Sequence, residues 1–165
     1  MVTSRAPDSF EAAYPSLFVR AAKVAYRLLG DGAAAEDVAA EALARAYANW
    51  SRIEGLAYRD GWVLRVASNL AIDASRRRVP WSAPAEPLDA AEATTLRLAL
   101  VAALNSLPRR QRQAVMLRYL TGLGSDEVAA VLGVSPGTAS THLRRGLDGL
   151  RLRLGHDFRE EALFT

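Results

Sequence analysis

At 165 residues the chain is long enough for one ordinary domain or two small ones, and with half its residues apolar it can build a core. It has no cysteine, its two histidines lack a partner at ligand spacing, and no apolar run reaches bilayer length; disulfides, thiolate metal sites and cysteine nucleophiles are therefore excluded, and no membrane insertion is expected. The formal charge of +3 is uneven: residues 61–80 carry +3, 81–96 carry −3 and 97–155 carry +6, a layout suited to two separate contacts with a polyanion.

After a polar start, apolar residues recur at helical spacing from Phe10 to Leu29 (Phe10, Tyr14, Leu17, Phe18, Ala21, Val24, Leu28), ending at Gly30-Asp31-Gly32. A second helix is predicted from Ala33 to Trp50, with Ala39, Leu43, Ala46, Tyr47 and Trp50 on one side. Asp37, Glu41 and Arg45 form a polar stripe elsewhere on it, which on pattern alone is equally a solvated ion pair. Ser51 to Asp60 reads as a loop or short turn. A third helix follows, Gly61 to Arg78, with Val63, Val66, Ala67, Leu70 and Ala74 facing one way. Arg65, Asn69, Asp73 and Arg76 face another. The terminal Arg76-Arg77-Arg78 would complement the helix dipole whatever the function, but a dipole does not ask for Asn69 in a cationic stripe, and a nucleic-acid face is the better reading.

Residues 79–93 carry three prolines, small residues and only acidic charge. Helix is disfavoured there, and a flexible tether is expected. Helical pattern returns from Thr94 to Leu107 and again from Pro108 to Leu120. Arg109, Arg110 and Arg112 fall in the first turns of this last helix, where the dipole disfavours cations, so an anionic partner is expected beside them. Ser125 to Leu147 (SDEVAAVLGVSPGTASTHLRRGL) then reads as helix, turn, helix: Ser125 as first cap, Gly133 as stop, Ser135 as second cap and Pro136 at the first helical position. The second of these helices buries Ala139, Leu143, Leu147 and Leu150. Gly137, Thr138, Thr141, Arg144 and Arg145 lie opposite, a short polar and cationic reading face. No stretch alternates like a strand, so the fold class is all-α: two small helical domains joined by a flexible linker, the C-terminal one carrying the helix-turn-helix. The domains are expected at 8–79 and 94–155, with the linker at 80–93 and a short tail at 156–165.

Two basic helical units, an acidic Pro-rich tether and a C-terminal helix-turn-helix together resemble a bacterial RNA polymerase sigma factor of the extracytoplasmic-function group, over about Phe10 to Leu154. The blocks that carry the likeness are AAAEDVAAEALARAYANW, GWVLRVASNLAIDASRRR and ALNSLPRRQRQAVMLRYLTGLGSDEVAAVLGVSPGTASTHLRRGLDGLR. The resemblance implies binding to core RNA polymerase and recognition of promoter DNA, with no cofactor, metal or catalytic residue. It implies polymerase contact by Asp37, Glu41 and Arg45, and minus-ten contact by Arg65, Asn69, Asp73, Arg76 and Arg77. Upstream minus-thirty-five contact falls to Ser135, Thr138, Ser140, Thr141, Arg144 and Arg145, with Arg109, Arg110 and Arg112 on neighbouring phosphates. The loop from Ser51 to Asp60 matches the family's base-capturing loop. An anti-sigma factor is an implied partner, and the cytoplasm the implied compartment. Ala40, Gly124 and Ala139 depart from the family pattern, and looser packing is expected beneath Ala139. The other reading of the residues is a dimeric helix-turn-helix regulator of an operator.

Overall fold

The computed structural model describes residues 9–77, 88–155 and 158, and among them every regular element is helical. α1 (Phe10–Leu29) opens on Ser9, whose hydroxyl accepts the Ala12 N–H at 3.2 Å, and closes on Gly30 in the left-handed region at φ 65°. A Cβ at Gly30 would be strained there and would also collide with the Arg97 guanidinium, so the stop requires glycine. Asp31 then caps α2 (Gly32–Ala48) through the Ala34 N–H at 3.0 Å. The predicted loop contains one short helical turn, α3 (Trp50–Ile53), and α4 starts at Arg59 and runs to Arg77.

α1, α2 and α4 pack on one another as the N-terminal domain, around Leu17, Leu43, Leu64 and Ile72. Tyr47, expected on the inner face of α2, lies at the rim, 64% exposed, where its ring meets Phe10 edge-on at 5.0 Å; Trp50 meets the same ring at 5.2 Å. Aromatic rings here close the lip of the core instead of filling it.

In the C-terminal domain α5 runs Leu88–Ser106, beginning six residues before the expected start at Thr94. The stretch after the last proline, LDAAEA, is alanine-rich with acids near the helix start, and both features favour helix. The remainder of the expected linker, and the tail apart from Phe158, lie outside the described residues; Phe158 packs on the first core. α6 (Arg109–Val115) continues into a π-helical turn, Met116–Leu120. α7 (Ser125–Leu132) and α8 (Pro136–Leu154) form the helix-turn-helix. Gly124, and not Ser125, caps α7: its N–H donates to Glu127 Oε2 at 2.7 Å, while Ser125 is already helical. Gly133 takes φ 65° at the end of α7, and the Ser135 hydroxyl accepts the Thr138 N–H at 3.2 Å, both as expected.

The α6 and π-turn segment is the wall between two cores. Val115, Met116 and Leu120 join the large cluster that includes the N-terminal helices, whereas Ala114 and Leu117 join a second cluster with Val128, Val131, Leu132 and Ala139. Ala139 is buried in company with Ala114 and Ala129, small residues that let the helices approach closely. The two domains are thus in contact, α4 touching α5, α6, α7 and the π turn.

Candidate nucleic-acid interface

Ser135 caps α8 and aims its first turns outward, with the core face fixed by Ala139, Leu147 and Leu150 and Leu143 half-buried. Thr138, Ser140, Arg144 and Arg145 are exposed and Thr141 half-exposed on the other sides. Three of the hydroxyls already have partners within the helix's own first turns: Ser135 and Thr138 share a hydroxyl contact at 2.8 Å, and the Thr141 hydroxyl donates to Gly137 O at 2.9 Å. The exposed guanidiniums of Arg144 and Arg145 are therefore the strongest donors on this face. An arginine can address guanine bidentately or a phosphate as an ion pair, and a helix presented in this way fits the width of a DNA major groove.

The three arginines of α6 separate in role. Arg109 is exposed. Arg110 donates to Leu132 O at 3.0 Å and closes the C-terminal end of α7. Arg112 is buried, 8% exposed, and donates to Asn105 O and Leu107 O, each at 3.3 Å, at the end of α5. Burial holds its pKa below the ordinary arginine value, and Arg76 and Arg109 lower it further against the opposing pull of Asp73. Arg112, expected on a phosphate, is thus a helix cap inside the domain, because the short chain between α5 and α6 leaves carbonyls that need a donor.

On α2, Asp37, Glu41 and Arg45 are all exposed, four residues apart, with Arg45 Nε on Glu41 Oε1 at 2.8 Å. This pair is an exposed ion pair contributing a few tenths of a kcal/mol, and the stripe stands free for a partner surface.

The stripe on α4 stands free only in part. Arg65 Nη1 donates to Val131 O at 2.7 Å, at the end of α7. Asn69 Oδ1 accepts from Gln113 Nε2 at 3.2 Å, and Arg76 Nε donates to Asn105 Oδ1 at 2.7 Å. Asp73 and Arg77 are exposed, with Asp73 3.8 Å from Arg76. Burial lowers the Arg65 pKa, and the nearby Arg110 and Arg109 lower it further, while Tyr58 raises it. Of the expected downstream-element residues, Arg65 and Asn69 therefore lie against the C-terminal domain, Arg76 reaches it while remaining exposed, and Asp73 and Arg77 stay open. The preceding loop is tied down from within: Asp60 accepts from Arg20 at 2.7 Å and from Arg59 at 3.2 Å, and Arg59 lies over the Trp50 ring at 5.2 Å. No residue of this loop was singled out beforehand, although an arginine beside an aspartate and one tryptophan is a visible cluster.

The family model described as Sigma-70 region 2 matches residues 17–79, and that described as Sigma-70, region 4 matches residues 97–148. Among curated relatives, the RNA polymerase sigma-E factor of Streptomyces coelicolor is 36% identical over 136 residues, covering 79% of this chain and 77% of its own. The ECF RNA polymerase sigma factor SigW of Bacillus subtilis is 30% identical over 152 residues, covering 80% and 81%. Among solved structures, the sigma factor RpoE of Bartonella quintana in complex with the anti-sigma factor NepR matches with a TM-score of 0.58 at 20% identity, over 92% of this chain and 99% of that one. CnrH in complex with the cytosolic domain of CnrY matches at 0.64 and 21% identity, over 90% and 89%. These two show a shared fold.

Proposed function

The chain belongs to the sigma-70 family, in its extracytoplasmic-function group, and from that premise we propose how its two domains divide the work of promoter recognition. It binds core RNA polymerase and directs it to promoters carrying minus-ten and minus-thirty-five elements. The observation that carries the assignment is the pair of family regions in order, 17–79 and 97–148, the second ending in the exposed cationic face of α8.

In this reading residues 8–79 melt and hold the downstream element and dock on the polymerase, and 94–155, extended by the opening turns of α5, read the upstream element. Asp37, Glu41 and Arg45 dock on the polymerase. Arg65, Asn69, Asp73, Arg76 and Arg77 contact the downstream element, with a base captured near the loop before α4; extracting it costs a few kcal/mol of stacking that pocket contacts must offset. Ser135, Thr138, Ser140, Thr141, Arg144 and Arg145 meet the upstream duplex, with Arg109 and Arg110 on flanking phosphates, which position without specifying. The chain does no chemistry itself; nucleotide transfer belongs to the polymerase. An anti-sigma factor is the third partner, and the cytoplasm, where the polymerase is, the compartment.

Transcription in vitro with core polymerase and a promoter library tests this. Transcripts dependent on the chain are expected, and a library on which it has no effect refutes the reading. Arg144→Ala and Arg145→Ala should each weaken upstream-element-dependent transcription, with about 1–3 kcal/mol of discrimination lost per bidentate contact removed, and should leave co-elution with core polymerase intact. Wild-type transcription by both variants would remove α8 from the reading face.

A further inference from the structure

The two ends of the loop before α4 are fastened to each other and to α1 through one carboxylate. Asp60, in the first turn of α4, gives each of its oxygens to a different arginine. Its Oδ2 accepts from Arg20 Nη1 of α1 at 2.7 Å, and its Oδ1 accepts from Arg59 Nε at 3.2 Å. The Arg59 guanidinium also lies 5.2 Å from the centre of the Trp50 ring, at the start of the loop, and that ring meets Phe10 of α1 at 5.2 Å. The contacts close a circuit that leaves α1 at Arg20 and returns to it at Phe10. Between the fastened ends the backbone makes two successive tight turns, Leu56 N–H to Ile53 O at 3.0 Å and Arg59 N–H to Leu56 O at 3.1 Å. Ile53 is buried and Leu56 packs on the large core, while Arg52, Gly55 and Ala57 are exposed. The chain itself fixes the shape of this loop.

The bracket is poorly placed to add stability. The Arg20 and Asp60 side chains are 42% and 41% exposed, and ion pairs so open to water contribute little. It is well placed to add geometry, because a flipped base is read by pocket contacts that hold only while the pocket keeps its shape. Its charge works in the same sense. Asp60 answers two guanidiniums that would otherwise attract the phosphates of any strand, whatever its sequence. We propose that Asp60 is a specificity-determining positioning residue: through Arg20 and Arg59 it sets the shape of the loop that captures the flipped minus-ten base, and it exchanges strand affinity for discrimination. The proposal rests on the reading of residues 51–60 as the base-capturing loop.

Opposite effects on affinity and a common effect on discrimination are the test. The full-length chain is bound to core polymerase, with core polymerase alone as the blank. Fluorescence anisotropy then follows single strands carrying a minus-ten sequence selected from the promoter library, its set of single-base replacements, and a random 20-nucleotide pool. The captured base is the position at which replacement costs the parent most. Asp60→Asn leaves both guanidiniums unanswered and should bind the pool tighter than the parent, with a log–log salt slope steeper by about 0.7, the share of one charge on a single strand. Arg20→Leu should bind the pool more weakly, with a shallower slope. Both should nevertheless lose about tenfold or more of the preference for the matched strand at the captured base, the size of one base contact. The double variant should lose no more than either alone, because the two residues act as a unit. Far-ultraviolet circular dichroism should be as in the parent throughout. Parental discrimination in either single variant, a double variant that loses the sum of the two, or an Asp60→Asn chain that binds the pool more weakly would each overturn the proposal. Gly55→Trp separates this from failure of the loop reading, since a Cβ at Gly55 meets nothing within 4 Å. If Gly55→Trp loses discrimination while the bracket variants keep it, the loop captures the base and only the role of Asp60 falls. If Gly55→Trp also discriminates like the parent, or the parent discriminates at no position, the loop reading falls and the proposal with it.

Discussion

Arg112 shows how one residue can be right in type and wrong in duty. A cation at the start of α6 is unfavourable for the dipole, and the side chain resolves this by running back to the two carbonyls that end α5, leaving only its Nε buried without a partner. Removing it strands Asn105 O and Leu107 O. Arg112→Ala is expected to lower unfolding free energy by about 1–3 kcal/mol, the range for buried groups left unsatisfied, whereas exposed Arg109→Ala should stay within about 0.5 kcal/mol. Urea denaturation of the two variants beside the parent decides it: equal midpoints would mean that Arg112 caps nothing. Asn69 makes the companion case. Its place in the cationic stripe was visible in the sequence, but its partner Gln113 is forty-four positions away, and no local pattern encodes that pairing.

Among the elements, the α6–α8 crossing is set by glycine. A Cβ on Gly146 would stand 2.6 Å from Val115 Cγ2 and 3.0 Å from Gln111 O, the latter backbone and unable to yield. Glycine within a helix costs about 1 kcal/mol relative to alanine, so Gly146→Ala would stabilise an isolated α8 and is expected to destabilise the protein. At Gly137 nothing lies within 4 Å of the added atom, and Gly137→Ala should leave the thermal midpoint unchanged or raise it. A higher midpoint for Gly146→Ala would show that the crossing has slack. The same contrast explains what was legible. Helix ends were in part, where a cap is a local contract: Gly30, Gly133 and Ser135 sit where expected, whereas Gly124 takes the place expected of Ser125 and the Ser9 cap was not read. The single turn of α3, the early start of α5 and the π turn were not. The first two are near the length at which periodicity carries no signal. The π turn is imposed by neighbours, since Met116 and Leu117 must enter different cores. The buried Leu64 and Ile72 were missed for a related reason: α4 is covered on two sides, and an amphipathic template assigns a helix only one.

At the scale of the whole molecule, the large core runs from the N-terminal helices into Leu104, Leu107, Met116 and Leu150 without interruption. Two domains sharing a core should melt together. Calorimetry of the intact chain is expected to give one transition with equal calorimetric and van't Hoff enthalpies, and Val131→Glu should split or broaden it; two transitions in the parent would mean that the domains are coupled too weakly for the junction to matter. The bonds between the domains add a property of another kind. Arg27 and Arg65 hold carbonyl oxygens, and Arg76 holds an amide oxygen. All three acceptors are neutral, so an anionic surface that reaches these guanidiniums offers them a stronger partner than the one they hold.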